Sequence, residues 1–207
     1  MEYPFLTGLG LAAPAGLNAY LPLLIVALVD RFSTKIDRDS PFDFLGSNWG
    51  IVILTVLVTV EVVVDKIPGI DHLNDLIQSV IRPAAGAFLM MAANSDGGKL
   101  NPVGAMVIGL VVAGGVHAGK ALSRPAVTVT TGGLGNPIVS FAEDGLAALC
   151  AISAIFFPLV VPLFIILILL AIAMGLRHTS RLRQRVRPQP LQPSVSTGAG
   201  SGPTLRR

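Results

Sequence analysis

The chain has 207 residues, of which 52% are hydrophobic and only 13% charged, against about 25% charged in an average soluble domain. That balance excludes an ordinary water-soluble domain and points to an integral membrane protein, with room for about six helices of ~20 residues. The formal charge of +3 misrepresents the body of the chain, because seven of the fifteen Lys and Arg lie in residues 177–207, where there is no acidic residue.

The N-terminus, MEYPFLTGLG, offers no basic region ahead of its apolar residues, so a cleaved signal peptide is not expected. Residues 8–29 are long enough to span, but Pro14, Gly16, Asn18 and Pro22 fall within them and predict a kinked or broken helix. Gly8, Ala12 and Gly16 recur every fourth residue, a small-residue stripe on which another helix can pack closely. After a polar connection over 30–48, a second span is predicted from Trp49, at the interface, to about Val64. Its β-branched wealth would suit a strand in water, but in lipid the backbone is satisfied by helices or closed barrels, and the barrel alternation is missing.

In residues 68–82, Ile70, Leu73, Ile77, Val80 and Ile81 share one helical face, and Asp71, Asp75 and Gln78 lie elsewhere. This predicts an amphipathic helix, in the interface or packed in the bundle. The apolar stretch after Pro83, AAGAFLMMAAN, is about 16 Å long as a helix and must borrow residues from 76–82 to span, or else re-enter. A fourth span is predicted over Pro102–Leu122, a Gly-rich loop over 123–135, and a long apolar run from Gly145 to Leu176 that is best cut in two near Pro158 and Pro162. Residues 177–207, rich in Arg, Pro, Ser and Gly, are expected to form a disordered cytoplasmic tail beyond a membrane domain covering 1–176. The single Cys150 excludes an intramolecular disulfide and reads as a small buried or lipid-facing residue.

Six spans would put both termini on one side. The side with Lys66, Arg82, Lys120, Arg124 and the tail then holds eleven basic residues against four, which predicts cytoplasmic termini in a bacterial inner membrane. Displacing the chain by 99 positions lays Gly16-Leu17-Asn18-Ala19 on Gly115-Val116-His117-Ala118, and by 82 positions lays Glu61 on Glu143. With three helices per half, such halves would be inverted repeats, about 5–94 and 101–176, with sites near broken or re-entrant helices. The expected fold is therefore an all-α membrane protein of about six transmembrane helices in two inverted three-helix repeats.

Ionisable residues inside these apolar runs are the candidate site, since a carboxylate at bilayer depth costs roughly 2.5–3.5 kcal/mol even on the mildest scale. Glu61 and Glu143 are expected to be the central pair. Asp65 is four residues from Glu61 and shares its helical face, and Lys66 lies a further 100° round. These two can equally cap the helix at the headgroup boundary. Glu143 and Asp144 must point in different directions, with a salt bridge from Glu143 to Lys66, Lys120 or Arg124 as the main alternative to an ion path. His117 and Lys120 lie three apart, and the imidazole can relay protons or make a structural hydrogen bond. Asn18 is its counterpart in the other half. His72, between Asp71 and Asp75, reads as the wet face of a helix rather than a surface metal site. No cofactor is expected, and the tail lacks the aromatics of a nucleic-acid site.

The motifs GLNAYLPLL, ExxxDKIPGIDHLNDLI followed by RPAAGA, GxHAGKAxxRP and NPxVSxxED resemble an uncharacterised bacterial membrane family, domain of unknown function 4126, over roughly residues 5–175. The resemblance implies Glu61, Asp65, Lys66, His117, Lys120, Asn136, Ser140, Glu143 and Asp144 as characteristic positions, without roles. The functional expectation is a transporter or channel for a small ion, a cation or proton, with the bilayer and a second copy as partners. A small neutral or lipidic solute is the other cargo. A membrane scaffold with structural ion pairs is the alternative, and a lipid-modifying enzyme using His117 with a carboxylate the third reading.

Overall fold

In the computed structural model, residues 3–33, 43–65, 71–95 and 97–185 are described, and all of their regular structure is helical. The elements are α1 (Pro4–Ala15), α2 (Tyr20–Phe32), a single turn α3 (Asp43–Gly46), α4 (Asn48–Val64), α5 (Asp71–Ser95), α6 (Pro102–Thr131), α7 (Asn136–Phe156), a 3-10 turn at Pro158–Val160, and α8 (Val161–Arg185). Three stretches are long and apolar enough to cross a membrane: Leu76–Ser95, Pro102–Thr131 and Asn136–Phe156. Pro4–Ala15, Asn48–Val64 and Pro158–Met174 are shorter apolar helices.

Local chemistry sets the boundaries. Pro4 and Pro102 sit in first turns, where the missing N–H costs nothing. The Ser47 hydroxyl accepts from Gly50 N–H at 3.0 Å to start α4, and the Asn101 side chain caps α6 in the same way. Gly132, at φ 60°, takes the left-handed conformation that ends α6. Pro83 and Pro125 lie inside α5 and α6 without stopping them. The segment 83–94 thus continues the helix from 76–82, and together Leu76–Ser95 is long and apolar enough to cross a membrane. The predicted Gly-rich loop 123–135 is corrected: α6 continues through Pro125 to Thr131, and only 132–135 link it to α7. Likewise α8 runs past Leu176 to Arg185 before the described residues end.

Contacts between neighbours fix direction. With the Pro4 end of α1 taken as the top, Gly8 faces Met90 and Asn94, and Ala12 faces Gly86, so α5 rises beside the descending α1. Gly86 meets Gly109 and Arg82 meets His117, so α6 descends. Lys120 meets Glu143 low on α7 and Gly10 meets Ala154 high on it, so α7 rises. Gly10 also touches Val161 and Gly119 touches Ile172, so α8 descends. Glu61 lies level with Arg82, and Asp65 level with Lys120 and Arg124, so α4 descends too. Ala19 adjoins Glu61 and Asp30 adjoins Gly46, so α2 is antiparallel to α4 and climbs back. Val26 of α2 accordingly shares a core with Leu89 and Ala92 of α5 and Ala151 and Ala154 of α7.

The break predicted within 8–29 is therefore a reversal. Helices α1 and α2, about 18 and 20 Å long at 1.5 Å per residue, form a helical hairpin whose tip is Gly16–Ala19. Of the helices paired by the two alignments, α1 and α6 run the same way, whereas α4 and α7, which carry Glu61 and Glu143, run antiparallel as inverted halves require. The Pro4 and Arg177 ends lie at opposite ends of the bundle, not on one side. The small-residue stripe packs closely: a Cβ on Gly8 would meet Met90 Sδ, and one on Gly16 would meet Ala113 O.

Helix α5 is inside out relative to a soluble protein. Leu76, Ile77 and Val80 are exposed, whereas Gln78 and Arg82 are buried. With lipid as solvent, the apolar stripe faces outward and the polar one is free to line the interior. The side chains of Asp71, His72 and Asp75 lie outside the described residues.

Candidate functional site

The hairpin tip and the lower end of α4 meet α5, α6 and α7 in a buried layer of charge. Glu61, Asp65, Arg82 and Lys120 are each 3% exposed or less, in helices whose outer faces are apolar. Arg82 joins Glu61 through Nη2 to Oε1 at 3.0 Å and lies 3.6 Å from Asp65 Oδ2. Lys120 Nζ is 3.0 Å from Asp65 Oδ2 and 3.0 Å from Glu143 Oε2. Arg124 Nη2 adds contacts of 3.0 Å to Asp65 and 3.7 Å to Glu143. The result is an alternating chain, Glu61–Arg82–Asp65–Lys120–Glu143, flanked by Arg124. Three carboxylates face three cations, so this chain is formally neutral. Pairing of this kind is what makes charge tolerable away from water.

The helix break supplies the remaining partners. Asn18 Oδ1 accepts from Leu21 N–H at 3.0 Å, the bond of an N-cap, and its Nδ2 donates to Asp144 Oδ1 at 3.0 Å. Ala19 N–H donates to Glu61 Oε2 at 3.1 Å, with Tyr20 N–H at 3.5 Å. Glu61 thus sits on the positive end of α2 as well as on Arg82. In the tip just beyond α1, Leu17 O accepts from Lys120 Nζ at 2.8 Å. An interrupted backbone at membrane depth needs such partners, because no water satisfies its freed groups there.

His117 Nδ1 lies 2.9 Å from Arg82 Nη1, and its Nε2 lies 3.2 Å from Ser79 Oγ. A guanidinium only donates, so Nδ1 accepts and the ring proton belongs on Nε2. His117 therefore orients Arg82, which in turn holds Glu61. Asn136 is buried and exchanges hydrogen bonds with Thr128, at 3.0 and 3.3 Å, pinning the α6–α7 turn. Ser140 Oγ is buried without a hydrogen-bond partner among the described residues. Lys66 lies outside the described residues. Cys150, fully buried, points its thiol at Gly10 O, 3.4 Å away, in line with a packing role.

The expected pair, Glu61 and Glu143, belongs to one network but is linked through basic residues. Asp65, expected near the headgroup boundary, is its hub. Glu143 and Asp144 take different partners, as their 100° separation requires. Arg82 was counted from sequence as a loop charge; its place immediately before Pro83, inside a stretch that must span, was the available signal. Lys120 and Arg124 are likewise in the bundle, so the tally of basic residues by side loses three members.

Beside Lys120 and Glu143 lies a pocket of about 330 Å³ between α6, α7 and α8, walled by Leu17, Val127, Val139, Leu146, Ile168 and Ile172. Among the described residues, no group of three or more His, Cys, Asp and Glu is placed to hold a metal ion. No curated protein and no solved structure matches this sequence. The family described as Domain of unknown function (DUF4126) matches residues 5–178, which include every residue of the charged layer. The chain belongs to that family.

Proposed function

We propose that this protein is a membrane transporter for a small cation or proton, working at the tip of the re-entrant hairpin. The observation that supports this reading is the setting of Lys120: its ammonium has Leu17 O, Asp65 Oδ2 and Glu143 Oε2 within 3.0 Å. Oxygens in such a cluster are the ligands that small hard cations take. A cargo cation competes with the ammonium for them, and the Arg82 pair holds Glu61 and the hairpin tip in register. Helix breaks that offer backbone groups at depth are a recurring way to build such sites.

In this reading the protein resides in a bacterial inner membrane. Leu76–Ser95, Pro102–Thr131 and Asn136–Phe156 cross it, α4 and the apolar part of α8 complete a set of five crossings, and α1–α2 re-enters from the side of the N-terminus. The Arg-rich end of α8 faces the cytoplasm, which puts the N-terminus outside. The formal neutrality of the charged layer favours a second reading, a scaffold whose ion pairs only hold helices together. Purified protein in liposomes, assayed for flux across monovalent cations and protons, separates the two. Flux lost in Glu143→Gln supports transport. Absence of flux in wild type, with function in cells depending on residues 177–207, supports the scaffold.

A further inference from the structure

The pocket beside the ion pairs is not needed for the charge network, and its walls are of a different kind. Leu17, Val127, Val139, Leu146, Ile168 and Ile172 make it apolar, and Lys120, Ser123 and Glu143 give it one polar end. A volume of about 330 Å³ is at the lower limit of small-molecule sites, which are typically apolar with a few convergent polar groups. It equals about eleven water volumes, room for roughly as many non-hydrogen atoms.

Two features define what fits. The mouth is flanked by Ala142 on α7 and Ala171 on α8, both exposed on outward faces that also carry Phe141, Ile138 and Leu167. An occupant thus enters sideways from the lipid. At the polar end, Lys120 Nζ donates to Leu17 O and Asp65 Oδ2 and forms an ion pair with Glu143 Oε2, which itself accepts no hydrogen bond among the described residues. The Glu143 side chain keeps 17% exposure and is the acceptor on offer. A carboxylate head would face Glu143 with like charge. A cationic head would add charge to a layer already balanced by Arg82, Lys120 and Arg124. A neutral hydrogen-bond donor fits both.

We propose that the α6–α7–α8 pocket binds a small uncharged amphiphile from the membrane, an aliphatic chain of about ten carbons whose hydroxyl donates to Glu143. This goes beyond ion transport and does not depend on it. The test uses the full chain in lipid nanodiscs and a ten-carbon primary alcohol carrying a diazirine in its chain. After irradiation, adducts on peptides covering Val139–Leu146 and Ile168–Ile172 are expected to exceed those on the exposed face of α4 (Val52, Val56, Val60) by about tenfold, the ratio of a specific over a weak site. Excess decanol removes the excess labelling, and decanoate and decylammonium do not. Ala171→Phe and Ala142→Phe, two independent ways to fill the mouth, each abolish it. Equal labelling of pocket and α4 overturns the proposal, as does labelling unchanged by decanol or by both variants in folded protein. Stronger competition by decanoate or decylammonium refutes the uncharged head. Loss of ion flux with labelling intact would count against the transport reading alone.

Discussion

Replacing Arg82 by Met tests the charged layer where it is most deeply buried. The side chain is 0% exposed, and its Glu61 partner is 1% exposed. Nη2 and Nε reach Glu61 Oε1 at 3.0 and 3.3 Å, and Nη1 reaches His117 Nδ1 at 2.9 Å. Removing one member of a buried pair costs about 3–5 kcal/mol, because the other charge is left without its counter-ion. Glu61 keeps the amides of Ala19 and Tyr20, which places the expected loss near the lower end, about 3 kcal/mol. Such a loss changes the folded-to-unfolded ratio by more than about 100-fold. Adding Glu61→Gln to the same chain removes the stranded charge while keeping an acceptor for α2, so about 1–2 kcal/mol should return, within the usual coupling of contacting residues. Unfolding in mixed micelles with increasing SDS, followed by far-UV circular dichroism, measures wild type, the two single variants and the double variant. A single variant that loses less than about 1 kcal/mol would refute the reasoning, as would a double variant losing the sum of both single changes.

Other outcomes follow from the same geometry. Gly109→Ala and Gly86→Ala should each destabilise by about 2 kcal/mol or more, since the added methyl meets backbone oxygen within 2.8 Å. Gly115→Ala and Gly145→Ala, with open space around the new methyl, should be neutral or stabilise by up to about 1 kcal/mol through helix propensity. In ¹⁵N-labelled protein, His117 should show the Nε2-protonated tautomer; an Nδ1–H signal would contradict its acceptance from Arg82. With Cys150 changed to Ala, an impermeant maleimide applied to intact cells and inverted vesicles should label cysteines at Tyr3 and in the C-terminal tail from opposite sides. Labelling of both from one side would overturn the re-entrant hairpin.

Much of the helical plan was legible because lipid imposes it. Pro14, Gly16 and Asn18 announced a break, and Pro158 marked the boundary of α7. What the sequence withheld was direction. A broken span and a re-entrant hairpin have the same composition and differ only in whether α2 packs against the upper or lower halves of α5 and α7. The glycines that the alignment superposes on α1 and α6 have different surroundings: Gly16 packs on Ala113 and Val116, whereas Gly115 has open space around it. Asp65 looked interfacial because it closes α4 just before Pro68; its burial comes from Lys120 and Arg124, 55 and 59 residues away in sequence. Arg82 was hidden by the habit of assigning arginine to loops, although an arginine inside a segment that must span has to find an acid.

The central claim is that the oxygens around Lys120 serve an ion in transit and not only the fold. Flux through proteoliposomes containing Lys120→Met, measured beside wild type and normalised to folded protein, tests it most directly. The methionine keeps the apolar stem and removes the ammonium from Leu17 O, Asp65 and Glu143. Cation or proton flux is expected in wild type and a fall of at least about tenfold in the variant, because without the competing ammonium the oxygens hold the cargo and do not release it. Wild-type flux rates in a folded Lys120→Met protein would contradict it.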